Sequence, residues 1–162
     1  MSHNKKMFIW CVVIFIVIFV AGIVVWRAVF SVANPELPRA TVTIGSSTFN
    51  AELATTMVQQ ARGLSGRTGL GANDGMLFLF GSSTVQTFWM KDMNFPIDMI
   101  WIGSDKVLGF EQNAPAPAPG TQLWELPIYA SPDGVDTVLE VVAGTVLKDN
   151  ITIGEPVTIV KS

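Results

Sequence analysis

The sequence predicts a mainly β fold: a compact sandwich or barrel of about eight short strands with one short helix, preceded by a single transmembrane helix. Three observations carry this. The twenty residues from Met7 to Trp26, MFIWCVVIFIVIFVAGIVVW, contain no charge, which is the length needed to cross about 30 Å of hydrocarbon as a helix. The remainder of the 162 residues has the length of one globular unit. That remainder holds eight short runs rich in Val, Ile, Thr and aromatics, bounded by Gly, Pro, Asn and Asp, as in an all-β domain.

Taken in order, residues 1–6 form a cytoplasmic tail, 7–30 the transmembrane anchor, 31–39 a linker and 40–162 an extracytoplasmic β domain. Lys5 and Lys6 precede the apolar run and only Arg27 follows it, so the positive-inside tendency leaves the N-terminus in the cytoplasm and the domain outside, periplasmic or at the cell surface. Ser31-Val-Ala33 offers a competing cleavage site, but the apolar core is longer than that of a signal peptide and Arg27 is poorly placed for processing. Retention as a signal anchor is favoured. Pro35 and Pro38 make 34–39 an extended spacer.

The expected strands are Thr41–Ile44, Thr48–Ala54, Met76–Phe80, Val85–Lys91, Ile97–Ile102, Lys106–Glu111, Thr137–Val142 and Val157–Lys161. Met57–Gly63 is the helix, since Thr56 followed by Gln59 matches a capping box and Gly63 can close the last turn. A further helical turn is weakly indicated at Gly144–Lys148, against the propensity of Val146 and Gly144. Ala114–Gly120 alternates Pro with Ala and is a stiff surface connector rather than a proline-motif ligand. Trp124, just beyond it, either closes the core or lines a cleft.

Composition excludes several chemistries. The sole cysteine, Cys11, lies in the apolar run and the sole histidine, His3, in the tail, so the exported domain has no thiol nucleophile, disulfide, cysteine metal site or histidine base. No metal and no cofactor are expected. From Asn34 onward seven Lys and Arg face thirteen Asp and Glu, a net charge of −6 without a basic run, which disfavours nucleic acid as a partner. Ser65 in Gly63-Leu-Ser-Gly66 lacks the glycine spacing of a nucleophile elbow. Met90 and Met93 beside Trp89 invite a Cu(I) reading, but methionines in a β core are commonly gap fillers.

Thr87–Ile102, TFWMKDMNFPIDMIWI, keeps Lys91 and Asp98 amid large apolar residues, and charges are rarely buried without partners. Pro96 suits a turn between two strands, giving a hairpin in which Lys91 faces Asp98 across the ladder. Arg62, at the helix end, competes as Asp98's partner or grips an anion. Glu140, inside Thr137-Val-Leu-Glu-Val-Val142, is the second carboxylate in apolar surroundings. If the two converge they form an acid and base pair for sugar chemistry; otherwise Glu140 pairs with Arg62 or Lys91.

Together Ala61-Arg-Gly-Leu64, Asp74-Gly-Met-Leu-Phe78, Phe88-Trp-Met-Lys91, Phe95-Pro-Ile-Asp98, Tyr129-Ala-Ser131, Val138-Leu-Glu140 and Ala143-Gly144 resemble the domain of unknown function 192 family. The resemblance covers about Thr41 to Val160. It implies a compact, mainly β, often exported domain with no established biochemical activity. The chain departs from the family pattern at Ser65, where Met is usual, and at Asp92-Met93, where Asn-Thr is usual. The matching positions Arg62, Trp89, Lys91, Asp98, Tyr129 and Glu140 are where a shared site is expected.

The resulting expectation is a membrane-tethered module for a small or saccharide-like envelope ligand. Its cleft is framed by Arg62, Lys91, Asp98 and Glu140 and walled by Trp89, Trp124 or Tyr129. A carboxylate-dependent enzyme on envelope polymers and a structural or protein-interaction domain are the alternatives.

Overall fold

The computed structural model describes residues 3–30 and 33–161, with side chains in the first stretch described for Met7 and residues 9–25. The chain forms two units, 1–32 and 33–162. The first is the helix α1, His3–Phe30. Among the described residues no helix is long and apolar enough to cross a membrane. The expected cleavage motif at Ser31 and Val32 and the flanking side chains of Lys5, Lys6 and Arg27 lie outside the described residues.

The second unit begins earlier than the expected linker boundary. Asn34 donates its side-chain amide to the carbonyls of Gln59 (2.9 Å) and Gly63 (3.0 Å), and Leu37 is buried in the core. The two prolines keep this segment extended, and it is held against the domain.

Nine strands follow: β1 Arg39–Ile44, β2 Ser47–Ala54, β3 Asp74–Thr84, β4 Thr87–Trp89, β5 Ile97–Gly103, β6 Lys106–Ala114, β7 Ile128–Ala130, β8 Val135–Val142 and β9 Val157–Lys161. Seven of them form one sheet in the order β6-β5-β8-β3-β2-β1-β9, while β4 and β7 pair apart from it. All neighbours are antiparallel except β2 and β3, whose parallel crossover carries α2, Met57–Arg62. The expected capping box is present: Thr56 Oγ1 accepts from the Gln59 amide while Gln59 Oε1 accepts from the Thr56 amide. Gly63 ends the helix at φ +50°, a backbone angle glycine adopts without strain. A second short helix, α3, spans Thr145–Lys148, and Leu123–Glu125 forms one 3-10 turn.

The sheet curls until its two edges meet at one end. A bridge joins Lys106 to Pro156, and Val107 and Val157 donate amides to the carbonyls of Glu155 and Asp105. The sheet is therefore a curled half-barrel whose outer strands are linked. Strict alternation along β5 sends Asp98, Ile100 and Ile102 to one face and Ile97, Met99 and Trp101 to the other. One cluster, with Val42, Phe49, Leu77, Ile100, Leu139 and Val146, fills one face. The other, with Leu64, Met76, Phe78, Met90, Met99, Trp101 and Val138, packs on the opposite face.

The expected hairpin between Val85–Lys91 and Ile97–Ile102 is not formed. Both edges of β5 are occupied, by β6 and β8, so no ladder position is left for β4. The chain turns at Asp92, where φ is +55°, and β4 is only Thr87–Trp89, paired with β7. The strand β7 is not among those the sequence predicts. Lys91 therefore does not face Asp98; its ammonium contacts the carboxylate of its neighbour Asp92.

Candidate functional site

Asp98 is fully buried and is satisfied by backbone alone. Its Oδ1 accepts from the amides of Asn113 (2.8 Å) and Gly144 (3.1 Å), and its Oδ2 from Val146 (2.9 Å). Each donor comes from an irregular point of the chain. The register slips between Ile97 and Met99 where β6 bulges, leaving Asn113 at φ +54°, and Gly144 and Val146 lie at the start of α3. Amides at a helix start have no partner within the helix. Asp98 thus closes the end of the barrel interior by tying β6, β8 and α3 together.

Glu140 sits one rung away and on the other face. In the sheet it is paired with Met76 of β3 and Met99 of β5, and directly paired residues share a face. Its Oε2 is buried without a hydrogen-bond partner, and burial pushes its carboxyl up to about 8, so it is neutral at pH 7. Because Asp98 and Glu140 point to opposite faces, the expected acid and base pair does not assemble.

A small cavity of about 30 Å³ reaches Glu140, lined also by Arg62, Ser65, Phe78, Phe88, Trp89 and Met93. A void of this size holds about one water-sized group. It shares Gln60, Ala61, Phe78, Phe88 and Trp89 with a larger crevice of about 450 Å³, whose remaining walls are Phe80, Thr87 and Ile128. The crevice is aromatic because β4 lies over the second cluster. Phe88 packs edge-on against Phe78 and Phe80, with centroids 5.1 Å and 6.2 Å away, and tilts against Trp101 at 5.6 Å. Gln60 is fixed at the rim by donating to the carbonyls of Ala54 and Leu79.

Of the seven expected site residues, the structure brings together Trp89, Arg62 and Glu140. Arg62 is engaged in an interaction of its own. Lys91 lies beside the site, where its carbonyl accepts from Ser65 Oγ at 2.7 Å. Tyr129 is half-buried opposite Phe88 in β7; burial and, secondarily, the charge of Glu111 push its hydroxyl up. Trp124 is 81% exposed on the 3-10 turn and neither closes the core nor lines the crevice. The sequence reading missed Phe78, Phe80, Phe88 and Ile128 as walls. Phe78 and Phe88 stand in the family motifs, but nothing local marks Ile128. Met90 is fully buried and Met93 nearly so, and both fill the second cluster. Among the described residues no group of three His, Cys, Asp or Glu is placed to hold a metal.

Elsewhere on the domain Arg67 grips the buried Glu52 in a fork, both contacts at 2.7 Å. That hydrogen-bonded pairing holds the Glu52 carboxyl below its ordinary range and raises Arg67. Arg39 bridges the same carboxylate, at 3.5 Å, to Asp74, at 3.3 Å. The cluster is internally neutralised and faces an open surface.

The family model DUF192, described as an uncharacterised ACR, matches residues 40–159. No curated protein matches the chain. Two solved structures are similar. A candidate transcription regulator from Sinorhizobium meliloti is 30% identical, with a TM-score of 0.65 over 79% of this chain and 96% of that one. A protein of unknown function from Novosphingobium aromaticivorans is also 30% identical, with a TM-score of 0.64 over 79% of this chain and 94% of that one.

Proposed function

The chain belongs to the DUF192 family, and we propose that its domain is a small-ligand binding module held at the outer side of a membrane by α1. The single observation that carries the binding reading is the aromatic crevice that shares its walls with the small cavity lined by Glu140, whose Oε2 is buried without a partner. Binding sites combine an apolar wall with few convergent polar groups, and a buried polar atom without a partner calls for an explanation. The expected polar cleft is thereby revised to an apolar one. A saccharide fits only through an apolar face laid on Trp89, which is 44% exposed. With a net charge of −6 and no basic run over residues 34–162, the domain is not suited to phosphate backbones.

The tether rests on the uncharged Met7–Trp26 run and on its lying within the 28-residue α1. With Lys5 and Lys6 on the N-terminal side, the N-terminus stays cytoplasmic and the domain extracytoplasmic. Carbonate washing of membranes, with protease added to intact cells, tests this. Retention with the domain digested from outside is expected; a domain released by the wash sinks the tether. For binding, amide shifts of the full chain in nanodiscs are followed against a library of small apolar and saccharide ligands. Shifts confined to Gln60, Phe78, Phe88, Trp89 and Ile128 are expected. A library that moves none of them overturns the crevice as a site.

A further inference from the structure

We propose that the crevice selects an organic primary ammonium, an apolar or aromatic body ending in –NH3+, with the ammonium seated on Glu140 and the body held between Phe78, Phe80, Phe88 and Trp89. This rests on the crevice being the ligand site and adds the chemical class of its occupant.

Three observations converge on that class. The first is the orphan. Glu140 lines the small cavity and its Oε2 is buried without a partner, so a hydrogen bond supplied to it relieves a desolvation cost. A charged donor gives the stronger bond.

The second is the wall. Four aromatic side chains line the way in, and ring faces carry negative potential that attracts cations and repels anions. An anionic head is therefore disfavoured against the rings on the way in.

The third is size. The inner cavity, about 30 Å³, admits one water-sized group, which fits –NH3+ and excludes a trimethylammonium. The outer crevice, about 450 Å³, accepts a ring or a short alkyl chain.

Formation of the ion pair has a proton balance. In the empty domain the Glu140 carboxyl is neutral at pH 7, since burial holds it at about 8. A protonated amine entering from solution leaves R–NH3+ beside a carboxylate, and the proton of Glu140 passes to solvent. The groups facing Glu140 are Met76 from β3, Met99 from β5, Met93 and Ser65 from the loops, and Arg62 from α2. Only Arg62 among these is charged. Affinity for the amine accordingly rises as pH increases toward 8.

The test is calorimetric titration of the full chain in nanodiscs with phenethylamine, phenethyl alcohol, 3-phenylpropionate and phenethyltrimethylammonium, repeated on Glu140→Gln and Trp89→Ala. Expected are binding of the primary amine about tenfold or more tighter than the alcohol, release of about one proton per ligand at pH 6.5 in buffers of different ionisation heat, and loss of that preference in Glu140→Gln. Because the native acid is neutral at that pH, the amide variant keeps its shape and charge and folds. Equal binding of alcohol and amine, weakened alike by Trp89→Ala, overturns the ammonium assignment and leaves the crevice standing. Preference for the propionate or the trimethylammonium also overturns it. If none of the four probes binds, both the ammonium assignment and the crevice as a site fall.

Discussion

Asp98 and Glu140 are buried carboxyls on neighbouring strands, one rung apart, and the sheet treats them oppositely. Asp98 receives three backbone amides; Glu140 leaves an oxygen with none. The difference lies in where the ladder breaks. In a regular sheet every amide is spent on the neighbouring strand, so a carboxyl standing on it finds no donors. Asp98 faces a bulge in β6, the turn at Gly144 and the start of α3, where amides are spare. Glu140 stands over Met76 and Met99 in an unbroken ladder. One acid is tied into the scaffold and the other keeps an oxygen to which the fold supplies no donor.

The comparison breaks most sharply at Asp98. Asp98→Ala strands three buried amides, and each unmet donor costs about 1–3 kcal/mol, so urea denaturation should show a loss of about 4 kcal/mol or more. A loss below about 1 kcal/mol would remove its scaffold role. Glu140 gives an effect that depends on pH. Its carboxyl ionises near 8 when folded against 4.5 otherwise, so the folded state holds the extra proton between those values. Its contribution is complete below pH 4.5 and is lost as pH rises to about 8, amounting to at most about 4–5 kcal/mol. Measured as wild type minus Glu140→Gln, stability should fall steadily across that window; a flat difference means that Glu140 ionises normally.

A third carboxylate sharpens the contrast from the other side. Glu52 is as buried as Glu140 but held by Arg67, so Arg67→Met should cost about 1–3 kcal/mol above pH 5, less than a wholly buried pair because Arg67 is partly exposed. The loss should shrink in acid as Glu52 protonates, and thermal melts at pH 3 and pH 7 read the difference. Smallest is Thr56→Ala, which removes one arm of the capping box and should lower stability by about 1 kcal/mol without touching the pH profile of either acid.

Much of the scaffold was legible in the sequence. Alternation along Ile97–Ile102 correctly assigned Asp98 to the face of Ile100 and Ile102, and Thr56 with Gln59 announced α2. Such signals are local, with periods of two or three residues. The pairing of β4 was not legible, because it depends on β5 having both edges occupied by strands that arrive later in the chain. Asp98's partners lie 15 to 48 residues away, and spacing in sequence carries no trace of them. The family motifs grouped Arg62, Trp89, Lys91, Asp98, Tyr129 and Glu140 alike, and of these Arg62, Trp89 and Glu140 line one small cavity, a division that depends on which sheet face each side chain takes. Ile128 was missed because a three-residue strand bounded by Pro127 leaves too short a pattern to read.

The neighbours of β1 carry a consequence for how the domain comes into being. The first strand of the sheet lies between β2 and β9, the last, and the bridge from Pro156 to Lys106 also waits for the final residues. While the chain is still being made, the outer edge of β1 stays open to other strands. Arrival of the C-terminal segment covers the edge of β1 with β9 and bridges one end of β6. A product ending before Val157 would keep the core strands yet expose the edge of β1, and self-association, rather than simple unfolding, is the fate to look for.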